Sequence, residues 1–146
     1  MPLLMASTFN WPNAIAQTVE SYGLSSRALF ECRGLPYPSG INYSHHIEFE
    51  ELEDFLAFLG RECGDEMLTL RLNHFFSPTM LDSFGLALIS SRNIEDALNR
   101  TVNVFNIVSA GITFTLVHEE ATTAINIDIA SSKPLLQVKT LIISSA

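Results

Sequence analysis

The spacing of apolar residues changes once along the chain, and this change predicts the fold class. Up to Val108 apolar residues recur at intervals of three and four, which is typical of amphipathic helices. After Gly111 they alternate with polar residues, over residues 112–118 and again over 122–130. The short polar segment between these two runs predicts an antiparallel hairpin with one buried face. Helices that precede strands in this way favour an α+β fold over a parallel α/β sheet.

Capping residues and glycines divide the helical part into segments. Asn10 is a suitable cap for a first helix, which Gly23 ends. Either Ser25 or Ser26 can begin a second helix, and Gly34 closes it. The sequence therefore begins with two short helices.

The clearest helix pattern covers residues 49–63. Residues 34–46, which precede it, contain several prolines and glycines and are predicted to form a loop. Acidic residues crowd the first turns of the helix, where the positive end of the helix dipole favours them. Gly64 ends the helix. Its apolar stripe consists of Phe49, Leu52, Phe55, Leu56, Leu59 and Cys63.

Further helices are predicted over residues 66–73, from Ser77-Pro78 to Ile89, and from the cap Asn93 to Val108. Lys133-Pro134 opens a last apolar helix after the hairpin. We expect one helical core, with the apolar face of the hairpin packed against it. Its predicted members are Phe55, Leu59, Leu70, Phe84, Leu88, Leu98, Val102 and Phe105.

Charge limits the partners that this protein can bind. The 146 residues fit one domain, and 16 acidic against 8 basic residues give a formal charge of −8. The basic residues are scattered singly, so the basic stripe that grips duplex DNA is missing and direct DNA binding is not expected. We interpret the acidic run at residues 48–54 as the solvated face of a helix. With neither a secretory signal nor a membrane-spanning apolar run, the expected location is the cytoplasm.

The residues that most often bind metals do not form a ligand pattern here. Cys32 and Cys63 are too far apart for a metal knuckle or a redox pair, and we interpret both as small buried apolar residues. The histidines show no HExxH motif and no cysteine/histidine cluster. No metal and no other cofactor is therefore expected. The histidines are His45, His46, His74 and His118.

Catalytic chemistry finds equally little support. Glu50 and Asp54 share one helix face, as a carboxylate pair would need, but no partner residue completes a site, and a solvated face is the better interpretation. Motifs for a serine nucleophile or a phosphate-binding loop are missing. We assign the aromatic pair at residues 75–76 to the core. Asn103 and Asn106 either bind a small ligand or face solvent, and we favour solvent. No catalytic residue is expected, and no ligand-binding residue can be assigned.

An ordered series of short motifs nevertheless resembles a known family. The series contains G-L-P at 34–36, a helix ending in C-G-D at 63–65, L-R-L at 70–72, F-G-L-A-L-I-S-S at 84–91 and I-E-D-A-L at 94–98. In this order the motifs resemble the N-terminal, arabinose-binding-type effector domain of AraC-type bacterial transcription regulators. The resemblance covers roughly residues 10–146.

The resemblance implies a function in regulation and not in catalysis. A domain of this kind senses a small-molecule effector and forms homodimers, while a separate helix-turn-helix domain reads the DNA. The motifs of that DNA-binding domain, and further sensor strands, are not found here, so residues 1–146 are expected to be one incomplete N-terminal domain. The apolar ending at 135–143 predicts a poorly covered C-terminal helix and self-association. The alternative is a stand-alone helical protein-interaction module with no small-molecule ligand.

Overall fold

The computed structural model describes residues 2–5, 11–39, 45–75, 82–108 and 111–145. These residues form a mixed α+β fold, as the hydrophobic pattern predicts. A helical cluster comes first, and an antiparallel hairpin and a C-terminal helix follow. In chain order the elements are β1 (Pro2–Met5), α1 (Trp11–Ser21), α2 (Ser26–Cys32), β2 (His45–Glu48), α3 (Phe49–Cys63), α4 (Leu68–Arg71), a 3₁₀ turn (Leu72–Phe75), α5 (Asp82–Ile89), α6 (Ile94–Val108), β3 (Ile112–His118), β4 (Thr123–Ile129) and α7 (Leu136–Ser145).

Local sequence signals set several helix ends. Ser25 caps α2, because its hydroxyl oxygen accepts a hydrogen bond from the Ala28 amide at 3.3 Å. Asn93 caps α6 in the same way, accepting from the Asp96 amide at 2.8 Å. Gly64 ends α3 with a left-handed φ of 65°, a conformation that glycine adopts at little cost. These ends are confirmed, whereas the predicted cap Asn10 lies outside the described residues.

The core is centred on α3 and its apolar stripe. Phe55 packs edge-on against Phe30 of α2, with ring centroids 5.0 Å apart. Both rings are buried, as are Leu52, Leu56 and Leu59 of the stripe. Deleting any of these large side chains would leave a cavity, so α3 is the element on which the others assemble.

A second two-stranded sheet was not predicted. β1 pairs with β2 in antiparallel register, with Pro2 opposite Glu48 and Met5 opposite His45. The predicted loop over residues 34–46 is therefore wrong at its last two positions. The pairing partner is about forty residues away in the chain, too far for a local sequence pattern to indicate it.

The segment after α3 winds more tightly than predicted. In place of one helix over 66–73, α4 covers only Leu68–Arg71 and continues as the 3₁₀ turn. Leu70 points outward with 43% of its surface exposed, so its place in the predicted core is wrong. The predicted Ser77-Pro78 helix start lies outside the described residues, and α5 is described from Asp82.

The hairpin packs against α6 through its apolar face. β3 and β4 pair with Phe114 opposite Ile127, as the alternating pattern predicts. Phe105 of α6 is only 1% exposed, and its ring lies 4.7 Å from that of Phe114. Of the other predicted core residues, Leu88, Leu98 and Val102 are half-buried.

Helix α7 is covered, contrary to the prediction for the C-terminal segment. Leu135, Val138 and Leu141 are buried in the same core as α3, and Leu136 is the described apolar residue of this helix that points to solvent. The physical reason is amphipathic placement: residues three apart share one face, and that face meets α3, α4 and the 3₁₀ turn.

Two predictions about side chains need correction or fall outside the structure. Cys32 is exposed and Cys63 is half-buried, so only the second resembles a core residue. The side chain of Phe84 is outside the described part of the chain. Among the described residues, no helix combines the length and the apolar character needed to cross a membrane.

Candidate functional site

The main candidate is a cavity of about 700 Å³ beside the hairpin. Its volume lies within the roughly 300–1,000 Å³ that is common for small-molecule sites. Side chains and backbone from α6, β3, β4 and α7 meet there. The lining residues are Thr101, Phe114, Ile125, Asn126, Ile127, Asp128 and Lys139.

The cavity runs along the free edge of β4. Residues 125–128 line it consecutively, although successive side chains of a strand point to opposite faces of the sheet. All four residues are accessible from one place only at a strand edge. The other edge of β4 is paired with β3 along the whole strand, so the cavity reaches the unpaired edge, and its contact with Phe114 shows that it also extends over the buried face of the hairpin.

The hydrogen-bond pattern of the hairpin fixes which backbone groups point into this space. The Glu119 amide donates to the Thr122 carbonyl, and the Ala130 amide donates to the Gly111 carbonyl, both at 2.8 Å. Along the hairpin between these two ends, residue pairs that share backbone hydrogen bonds therefore alternate with residue pairs that do not. It follows that the N–H and C=O groups of Ile125 and Ile127 point away from β3, toward the free edge.

The opposite edge of the hairpin is closed by a side chain. The Asn106 amide nitrogen donates to the Phe114 carbonyl at 3.0 Å, and the Asn106 oxygen accepts from the Phe114 amide at 2.8 Å. The side chain therefore replaces a neighbouring strand at this position. Asn106 is committed to the backbone of β3 and is not available to a ligand in the cavity.

The cavity wall is mainly apolar. Phe114 is buried at its base, while Ile125 and Ile127 are half-buried beside it. Thr101 is buried, and its hydroxyl donates to the Ala97 carbonyl at 2.8 Å, so its oxygen remains able to accept a hydrogen bond. A ligand that fits this wall needs apolar surface of its own.

Two opposite charges border the cavity without neutralising each other. Lys139 of α7 and Asp128 of β4 both line it, and both are exposed. Neither side chain forms an ion pair or hydrogen bond with a described residue. The ion pairs among the described residues join other partners: Arg27 with Glu31, Arg71 with Asp65 and Arg100 with Asp96.

Two carboxylates of α3 hold the helix that contributes Lys139. Glu53 accepts from the backbone amides of Gln137 at 2.9 Å and Val138 at 2.8 Å, at the N-terminus of α7. Glu50 accepts from the Ser131 hydroxyl at 2.8 Å, and chiefly this bond lowers the pKa of Glu50 below its usual value. The acidic run is therefore not simply a solvated face, since Glu53 binds the N-terminus of α7 and Glu50 binds the segment that leads into it.

A comparison with known families matches most of the chain. The family model described as the arabinose-binding domain of AraC transcription regulator, N-terminal, matches residues 17–143. The chain belongs to this family. No curated protein is similar enough to the chain to count as a match.

The cavity of this AraC-type domain does not contain the polar residues that the sequence analysis weighed. Asn103 is exposed, as favoured there, and neither Glu50, which is hydrogen-bonded to the Ser131 hydroxyl, nor Asp54 lines the cavity. Phe75 is half-buried against the core, in agreement with its assignment. Phe76 lies outside the described residues.

The two histidines whose side chains are described lie on separate elements and are exposed. His74 is exposed on the 3₁₀ turn, and His118 is exposed at the tip of the hairpin, where its Nδ1 lies 3.2 Å from the Thr123 hydroxyl. His45 and His46 take part in the backbone pairing of β2. Over the described ranges, no three histidine, cysteine or acidic side chains gather in a way that could hold a metal ion.

Sequence reasoning missed the residues that line the cavity. Thr101, Asp128 and Lys139 come from three elements, and nothing in the sequence brings them together. One signal was present: Lys139 is the single charged residue in the apolar segment 135–143. A charge in such a segment marks a position that must reach solvent or a ligand.

A second polar cluster in the AraC-type domain is structural. Asp65 accepts hydrogen bonds from the Tyr22 hydroxyl, the Arg71 guanidinium and the Met67 amide. The Tyr22 bond is the largest cause that holds the pKa of Asp65 below its usual value, and Arg71 adds to it. The cluster joins α1 to the segment after α3, and none of its residues lines the β4 cavity.

Proposed function

We propose that the chain is the effector-sensing part of a bacterial AraC-type transcription regulator and that the effector binds in the β4 cavity. The observation that carries this proposal is the cavity itself, which lies inside the region matched by the family model. A small molecule there would contact the hairpin, α6 and α7 together. Binding would therefore connect α7 to the hairpin and α6, with which it otherwise has few contacts, and a ligand that favours one arrangement of these elements shifts the conformational equilibrium.

A substitution that fills the cavity with a larger side chain tests whether the effector binds there. Ile127→Trp adds a large ring at a half-buried wall position, where open space is adjacent. The matched control is Val117→Trp, on the exposed face of β3 and outside the cavity lining. Thermal-shift measurements against a panel of small metabolites should identify a compound that stabilises the wild-type chain and the control but not Ile127→Trp.

The added ring also reports binding directly. The chain has one native tryptophan, Trp11, which is buried in α1 and does not line the cavity. In Ile127→Trp the new fluorescence should resemble that of a partly buried indole, which verifies that the ring enters the cavity in a folded protein. A stabilising compound that acts equally on all three proteins would place the effector site elsewhere.

We further propose that regulation passes through a DNA-binding domain that these 146 residues do not include. The formal charge of −8 supports the assignment of DNA binding to another domain, because contacts with DNA phosphates need a basic surface. A mobility-shift assay at physiological salt should detect no sequence-specific complex with the chain alone. Reading the gene beyond the codon for Ala146 should reveal a helix-turn-helix pair, and its absence would favour the stand-alone interaction module. On this proposal the protein acts in the cytoplasm, catalyses no reaction and uses no cofactor.

Homodimerisation is also proposed, and an exposed apolar surface on α5 and α6 supports it. Leu86, Ile89 and Ile94 are large and largely exposed near the turn between these helices, and Ile94 reaches 79%. Exposed apolar groups of this size are common where proteins associate. The dimer partner on this surface would be a second copy of the chain. Sedimentation of wild type against Ile94→Lys should show a dimer that the substitution weakens, and a monomeric wild type would refute the assignment.

A further inference from the structure

We propose that the β4 cavity binds a short, extended apolar peptide with free termini, such as a dipeptide. This inference rests on the proposed function, because it names the ligand class of the same site. It uses three features together: the unpaired backbone edge of β4, the apolar wall and two opposite charges that do not pair with each other. A free sugar or a single metal ion would leave the apolar wall without a matching surface.

The backbone edge selects for a peptide. Ile125 and Ile127 direct N–H and C=O groups into the cavity, and neither residue has a hydrogen-bond partner among the described residues on that side. A peptide that lies along β4 as a third strand would satisfy these groups with its own amides. Strand addition of this kind provides affinity through the main chain and specificity through pockets for alternate side chains.

The wall selects for apolar side chains. Phe114, Ile125 and Ile127 supply branched or aromatic surface, and the polar side chains that line the cavity with them belong to Thr101, Asn126, Asp128 and Lys139. A sugar presents a hydroxyl on nearly every carbon and has little apolar surface to place against this wall. Burial of apolar surface is favourable, so the wall favours a ligand with apolar side chains over a sugar.

The charges select for free termini. Asp128 offers a carboxylate to an α-ammonium group, and Lys139 offers an ammonium to an α-carboxylate. Because the two side chains do not pair with each other, a zwitterionic ligand can neutralise both without breaking an existing bond. The cavity volume of about 700 Å³ accommodates a dipeptide, which is larger than a single amino acid.

The direct test is isothermal titration of the 146-residue chain with isoleucyl-valine. The comparison ligands are the same dipeptide with both termini blocked, its N-methylated form, free isoleucine and L-arabinose. We expect isoleucyl-valine to bind and each of the others to bind at least about tenfold more weakly, because each lacks one of the three matching features. Equal affinity for the blocked dipeptide, for isoleucine or for arabinose would overturn the proposal.

Variants assign the termini to their partners. Lys139→Gln and Asp128→Asn should each weaken isoleucyl-valine by about tenfold, with no loss for the blocked dipeptide in Lys139→Gln. Lys133→Gln is the matched control, because it removes the same charge from an exposed residue outside the cavity lining. Equal losses in the control and in Lys139→Gln would reduce the effect to net charge and overturn the assignment.

Two further outcomes separate this inference from the proposed function. A chain that ignores isoleucyl-valine but is stabilised by another compound, in a way that Ile127→Trp abolishes, would overturn the peptide class and leave the effector site intact. A concentration-dependent dimer that Ile127→Trp disrupts would show that a second copy of β4 occupies the edge, which would also overturn the peptide. Neither result depends on the DNA-binding domain.

Discussion

Replacing Glu53 with alanine is expected to destabilise the protein, because this residue caps a helix to which it does not belong. The first hydrogen bond of α7 joins the Lys139 amide to the Leu135 carbonyl, which places Leu135 at the N-cap position. Leucine has no side-chain acceptor. The Glu53 carboxylate supplies one from α3, accepting from Gln137 at 2.9 Å and Val138 at 2.8 Å, the second and third residues of the helix.

The magnitude follows from these two bonds. Loss of an ordinary N-cap side chain costs about 0.5–2 kcal/mol, and the interaction of a carboxylate with the helix dipole adds roughly 0.3–1 kcal/mol. Glu53 makes two bonds where an ordinary cap makes one, but it is only half-buried, so water can replace part of what is lost. We therefore expect Glu53→Ala to lower the free energy of unfolding by about 2–3 kcal/mol.

Urea denaturation followed by circular dichroism measures this change. The matched control is Asp54→Ala, which removes the same charge from an exposed neighbour on α3 and gains similar helix propensity. It should change the stability by less than about 0.5 kcal/mol. Hydrogen exchange should also accelerate at Gln137 and Val138 in Glu53→Ala before it does so in α3. Equal stability of the two variants would refute the capping role.

Three other predictions concern the core, the hairpin edge and acid stability. Phe105→Ala should lower the free energy of unfolding, measured in urea, by about 3–5 kcal/mol, because it leaves a cavity where the Phe105 ring packs against Phe114. A loss below about 1 kcal/mol would contradict that packing. Asn106→Ala should cost about 1–2 kcal/mol, since it removes both bonds to the backbone of β3, whereas a neutral effect would mean that water replaces them fully. The pKa of Asp65 is lowered in the folded protein. Its contribution to the free energy of unfolding is therefore fully present above the pKa of unfolded aspartate and is lost as the pH falls through the pKa of the folded state. Asp65→Asn should therefore flatten the acid limb of the stability–pH curve, and an unchanged limb would argue against the Tyr22 contact.

Local signals made much of the fold predictable. The ends of α2, α3 and α6 follow from Ser25, Gly64 and Asn93, each of which acts on backbone groups within a few residues. The hairpin follows from alternation with period two. The family was also recognisable from the order of short motifs, and the family model confirms it.

Prediction failed where the outcome depends on residues far apart in the chain. The sequence analysis placed Leu70 in the core, but Leu68 and Leu72, four residues apart, form the buried face of this segment, and Leu70 points to solvent between them. The sequence analysis also predicted that α7 is poorly covered. The carboxylate that caps this helix, Glu53, lies more than eighty residues earlier in the chain, so no local pattern indicated the contact. The pairing of β1 with β2 was missed for the same reason.

The sequence by itself determined most of the helices, the β3–β4 hairpin and the family, because propensity, capping and periodicity act over a few residues. Only the tertiary structure decided which charges are solvated and which dock a helix, as the contrast between Asp54 and Glu53 shows. It alone produced the cavity, where Thr101, Asp128 and Lys139 meet from three elements. Side chains from separate elements become neighbours only when buried surfaces choose their partners, and that choice is a property of the packed chain as a whole.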